Sequence, residues 1–106
     1  MNDFEKFGEG VWEKRFKREE HIVSRAIVGE TLLVPIRGQL ADMQKIFSLN
    51  PVADLIWEHL DGEMPLYEIR DGVMSEFEVD EKEANSDLLE FIAELVQADL
   101  VHEMAS

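Results

Sequence analysis

The sequence contains no cysteine. That excludes disulfides, thiolate zinc sites, iron–sulfur ligation and a cysteine nucleophile together. Basic residues are scarce, with ten Lys and Arg against 24 Asp and Glu, and a formal net charge of −14. A chain of that sign repels a nucleic-acid backbone, because phosphate binding depends on basic residues that release counterions. No apolar run approaches the ~20 residues that span a bilayer. The first twenty residues also lack the apolar stretch of a secretory signal. The expected compartment is the cytoplasm, with neither membrane nor nucleic acid as a partner. At 106 residues there is room for one domain with one modest core.

What charge there is lies unevenly. Residues 1–45 hold eight basic side chains and eight acids, whereas residues 46–106 hold only Arg70 and Lys82 against sixteen acids. The whole excess therefore belongs to the second half, either as a solvated helical surface or as an electrostatic docking face.

Residues 1–20 mix charges with isolated aromatics (Phe4, Phe7, Trp12, Phe16) and read as an N-terminal arm, flexible, docked or swapped onto a second copy. Trp12 and Phe16, four apart, fit one face of a short helix over 11–19. From His21 the composition becomes β-branched and aliphatic: HIVSRAIV and TLLVPI, divided at Gly29 and Glu30, predict a hairpin. Pro35 cannot donate to a ladder, so the second strand is expected to end there or to face an edge. Residues 44–49 (QKIFSL) read as a third strand, with Phe47 and Leu49 on one face and Ile46 and Ser48 on the other.

Three helices follow. Asn50 and Pro51 form an N-cap and first-turn pair, and Ala53, Ile56, Trp57 and Leu60 make one apolar stripe with Trp57 as core anchor. Asp61 and Gly62 are expected to end that helix, Gly62 in the left-handed position. Pro65 opens the second helix, with Leu66, Ile69, Val73 and Phe77 on one face. Asp80 and Glu83 form a capping pair for the third helix, which runs to about Ala98. Leu100 and Val101 then return as a short extended tail. The order predicts an α+β fold, winged-helix-like in content, with a three-stranded antiparallel sheet followed by three helices.

The third helix carries a wide apolar arc. With Leu88 at its centre, Leu89 and Val96 lie towards one rim and Phe91 towards the other. Either this helix is sandwiched at the centre of the fold, or one rim lines a groove.

No constellation points to catalysis. His21, His59 and His102 stand alone on three elements, with no second histidine at ligand spacing, so no metal site is expected. Residues 8–10 (GEG) lack the preceding strand and third glycine of a phosphate cradle, and no G-x-S-x-G is present. Catalytic residues and cofactors are both read as none.

The string IFSLNPVADLIWEHLDG, continued by MPLYEIRDGVMSEFEVD, resembles the PqqD family. These are small peptide-binding domains, also called recognition elements for ribosomally made, post-translationally modified peptides (RiPPs). The residues that carry the likeness are Leu49, Asn50, Ala53, Ile56, Trp57, Leu60, Asp61, Gly62, Glu68 and Ile69, then Leu88, Phe91, Ile92 and Leu95. The likeness covers residues 21–102, leaving 1–20 outside it. It implies a chaperone without chemistry of its own, which holds a precursor's leader peptide and delivers it to a maturase such as a radical SAM enzyme, in PQQ or other RiPP biosynthesis. It also implies strand addition to the third strand, with the third helix as facing wall. Mapped onto this chain, the peptide-binding residues are Gln44, Lys45, Ile46, Phe47 and Ser48 at the edge, and Leu89, Ile92 and Val96 on the wall. Residues 37–43 form a longer loop than the family pattern, Pro35 interrupts the second strand, and Met64 replaces a hydroxyl residue.

Two other classes are weighed against this one. A DNA-binding winged helix would send the third helix into the major groove, yet that helix carries Glu81, Glu83, Asp87, Glu90 and Glu94 against Lys82 alone. An acyl-carrier-like protein would be small and acidic with a modified serine at a helix start. Ser86, however, falls inside a helix already capped by Asp80, and Asp87 separates it from Leu88. Exposed strand edges and the arm would also allow a homodimer.

Overall fold

The computed structural model describes residues 10–37, 40–41 and 46–105. In chain order these form a 3-10 turn (Val11–Glu13), β1 (Arg15–Arg18), β2 (Ile22–Ile27), β3 (Glu30–Arg37), β4 (Leu40–Ala41), β5 (Phe47–Leu49), α1 (Pro51–Glu58), β6 (Asp61–Pro65), α2 (Leu66–Glu76), α3 (Glu81–Gln97) and β7 (Val101–Glu103). The α+β class, the hairpin and the three helices stand as the sequence predicts.

The helix starts follow from local chemistry. Asn50 Oδ1 accepts the Ala53 N–H at 2.9 Å, and Asp80 Oδ1 accepts the Glu83 N–H at 2.8 Å. Each satisfies one of the donors that a helix start leaves unpaired. The end of α3 closes in a Schellman arrangement. Leu100 N–H bonds to Leu95 O and Asp99 N–H to Val96 O, with Asp99 in the left-handed region at φ 61°. That turn aims Leu100 into the core and starts β7.

β2 and β3 pair in continuous register from Ile22 opposite Pro35 to Ile27 opposite Glu30. β3 does not end at Pro35. Ile36 N–H bonds to His21 O at 2.7 Å, so even-numbered residues of β3 point their N–H groups at β2 and odd-numbered ones point away. The nitrogen of Pro35 thus faces the β5 side, one step past the last pair, Leu33 opposite Phe47. The missing donor costs the hairpin nothing.

The largest departure concerns residues 11–19. In place of one helix the chain forms the 3-10 turn and then β1, the central strand of a second antiparallel sheet ordered β6-β1-β7. Val11 and Phe16 are each 1 % exposed and belong to the same core as Leu33, Trp57 and Leu88. Residues 10–20, expected in the arm, are therefore built into the domain, while residues 1–9 lie outside the described residues. Trp12 does not share a helical face with Phe16. It packs beneath Arg70, whose guanidinium carbon lies 5.0 Å from the ring centroid. Arg18 ties β1 to α1 by donating to Trp57 O and Glu58 O, both at 3.2 Å, where α1 exposes its last carbonyls. The sequence conceals this sheet because the partners of β1 are some 45 and 85 residues away along the chain.

Gly62 is also placed differently. α1 stops at Glu58 with His59 as its C-cap, and Gly62 lies inside β6 with φ 85°. There the β1–β6 register shifts between Arg15 and Lys17, and a Cβ on Gly62 would stand 3.3 Å from Lys17 Cβ. The positive φ belongs to a bulge in the sheet, not to a helix cap. Gly62→Ala should therefore lower the unfolding free energy by about 1–2 kcal/mol. Gly72, in mid-α2 with open space where a Cβ would stand, gives the opposite sign: Gly72→Ala should add about 0.5–1 kcal/mol. Urea unfolding of both variants, with equal slopes, checks the contrast.

Candidate functional site

The alternation that turns Pro35 outward also orients β5. Odd-numbered residues of β3 face β5, so Leu33 and Thr31 bond to Phe47 and Leu49. The N–H and C=O of Ile46 and Ser48 are left pointing away from the sheet. β5 pairs with β3 alone, so this outer edge is open among the described residues.

Beside the edge runs a groove of about 320 Å³ between β5, α1 and α3. Its floor is apolar: Phe47 from β5, with Val52, Ala53 and Ile56 from α1. Its far wall is α3, which presents Phe91 flanked by Asp87, Glu90 and Glu94. Ser48 and Asn50 stand at the strand side. Ser48 Oγ donates to Glu30 Oε2 at 2.8 Å, on the outer face of the sheet.

The residues expected to form the wall do not line this groove. Leu89 and Ile92 are 1 % and 0 % exposed and lie in the core, while Val96 is 39 % exposed but does not line the groove. At about 100° per residue, Asp87, Glu90, Phe91 and Glu94 form one face of α3, and Val96 lies nearly opposite. The helix is both sandwiched and grooved, and the groove falls on the Phe91 rim. The Leu89 rim is buried in the core that includes Val11, Phe16 and Val101. Of the expected edge residues, Phe47 and Ser48 lie in β5, Ile46 immediately precedes it, and Gln44 and Lys45 lie outside the described residues. Phe91 is the residue that sequence reasoning placed on the other rim. In the sequence, the lining carboxylates read either as solvated charge or as an electrostatic docking face.

The turn after α1 has a structural purpose. Asp61 Oδ1 accepts the N–H groups of Glu63 at 2.8 Å and Met64 at 2.9 Å, and these bonds hold its carboxyl below the usual carboxylate range. Trp57 is core, 5 % exposed, with Arg18 over its ring. The histidines have separate local environments: His59 Nδ1 lies 2.8 Å from Leu55 O, and His102 Nδ1 lies 2.6 Å from Glu19 Oε1. Among the described residues no group of three or more His, Asp or Glu is placed to hold a metal ion, and no helix is long and apolar enough to cross a membrane. Ser86 lies within α3, beyond its first turn.

The family model described as coenzyme PQQ synthesis protein D (PqqD) matches residues 30–101. No curated protein sequence matches the chain. A solved structure, TbiB1 in complex with the TbiA(beta) leader peptide, is similar with a TM-score of 0.67 and 27 % identity, covering 85 % of this chain and 99 % of the other.

Proposed function

We propose, from the premise that this chain belongs to the PqqD family, that it binds the leader of a ribosomally made precursor peptide and presents it to a modifying enzyme. The observation that carries this reading is the open outer edge of β5 lying alongside an apolar groove. An extended peptide that pairs with Ile46 and Ser48 would satisfy the unpaired backbone groups, and its alternate side chains would enter the groove. Phe47, Ile56 and Phe91 then supply the apolar contact, and Phe91 replaces Leu89, Ile92 and Val96 as the wall. The similar protein TbiB1 was solved with a leader peptide, which supports the same class of ligand here. The domain acts by holding and delivering, and the chemistry belongs to the enzyme that receives the peptide. A radical SAM maturase is one such recipient.

Ser48 offers a clean test. Its N–H points away from β3, so proline there removes a donor only from the open edge, a position where edge strands tolerate it. Ser48→Ala removes just the hydroxyl. With synthetic leader segments of short peptides encoded next to this protein, Ser48→Pro should weaken binding about tenfold, through one lost backbone bond and the ring's bulk. Ser48→Ala should bind like the parent. Titration into labelled protein should move the amides of residues 46–50. Equal affinity for both variants, or shifts confined to α2, would rule out strand addition at this edge.

A further inference from the structure

The groove is apolar at its floor and acidic at its rim, and that combination constrains what it takes. Asp87, Glu90 and Glu94 are exposed, stand on one face of α3, and make no ion pair among the described residues. Asp54 on α1 and Glu30 beside Ser48 add no positive charge nearby. After residue 45 the chain has two cations. Arg70 is engaged by Asp71 at 3.2 Å and Glu81 at 3.7 Å, and packs on Trp12. Lys82 is at the start of α3 on the face away from the groove. No basic side chain of the described residues lines the groove to offset the three carboxylates.

Resting on the strand-addition reading, we propose that this groove selects a basic leader segment. Groove-facing positions of the bound strand would combine an apolar anchor with lysine or arginine. The geometry suits such side chains. Glu90 and Glu94 are separated by about 6 Å along the helix axis, close to the ~6.6 Å between successive same-face residues of a strand. A lysine or arginine can lay its aliphatic stem over Phe91 and reach the carboxylates with its charged end. A glutamate in the same place would be repelled by all three.

Two synthetic peptides of about twelve residues test this. Both carry threonine at every second position; in one, leucine alternates with lysine at the remaining positions, and in the other glutamate replaces lysine. That pattern keeps leucine and the charged residue on one strand face. Against the full chain at low ionic strength, the lysine peptide should bind at least about tenfold more tightly. The preference should shrink severalfold in half-molar salt, where screening acts over only a few ångströms. The combined variant Asp87→Asn, Glu90→Gln and Glu94→Gln, all at exposed positions, should lose most of it while still binding. Amide shifts locate the peptide in each case. Equal binding of both peptides, with shifts at residues 46–50, overturns charge selection and leaves strand addition standing. A lysine preference that survives in the triple variant overturns charge selection by this wall. If neither peptide moves residues 46–50, strand addition fails and charge selection falls with it.

Discussion

A chain that begins at residue 21 should not fold. The expectation follows from where β1 sits, between β6 and β7 at the centre of its sheet. Its removal strands the backbone on both sides. Leu66 N–H loses Lys14 O, Met104 N–H loses Arg15 O, and Glu19 no longer reaches Leu100 O. It also takes Val11 and Phe16 out of the core and leaves α1 without the Arg18 bonds at its carboxyl end. Truncating Phe16 alone to alanine should cost about 3–5 kcal/mol, against a total of about 5–15 kcal/mol for a typical domain. Loss of the whole strand exceeds that margin. Circular dichroism and urea unfolding of residues 21–106 should show no cooperative transition. A cooperative melt within a few degrees of the full chain would show that β1 is dispensable. The family match begins only at residue 30, so neither the match nor the composition marks this strand as necessary.

The second large effect concerns α3. Leu89→Ala should lower stability by about 2–4 kcal/mol, because a leucine buried at 1 % leaves a cavity among packed neighbours. The fraction that stays folded should bind peptide as the parent does. Val96→Ala, at an exposed site outside the groove, should change both quantities little, within about 0.5 kcal/mol. Phe91→Ala should behave in reverse, weakening the peptide severalfold at a smaller cost to the fold. Leu89→Ala that folds normally and loses the peptide would mean that the groove runs along the other flank of the helix.

These two expectations mark the boundary between local and distant information. Hairpin β2–β3, the Asn50 and Asp80 caps and the span of α3 were legible because each depends on residues a few positions apart. β-branched runs, cap side chains and apolar spacing act over one turn or one strand pair. The width of the α3 arc was legible too, and it left two readings open, a helix sandwiched at the centre or a rim lining a groove. Which rim met the core and which met solvent could not be read from the helix itself.

Tertiary structure decided that point, by bringing the first and last segments of the chain onto the same core. Leu89 is buried in the one core that also takes in Phe16 and Val101 from the two ends of the chain, while Phe91 faces the groove beside β5. The same pairing put Gly62 in a bulge against Lys17, although its neighbours in sequence look like a helix end. Composition by itself determined the absence of thiol chemistry and the acidity of the second half. Only the fold could place three of those acids along a groove, because a helix positions charges by turn while its packing chooses which turn faces the ligand.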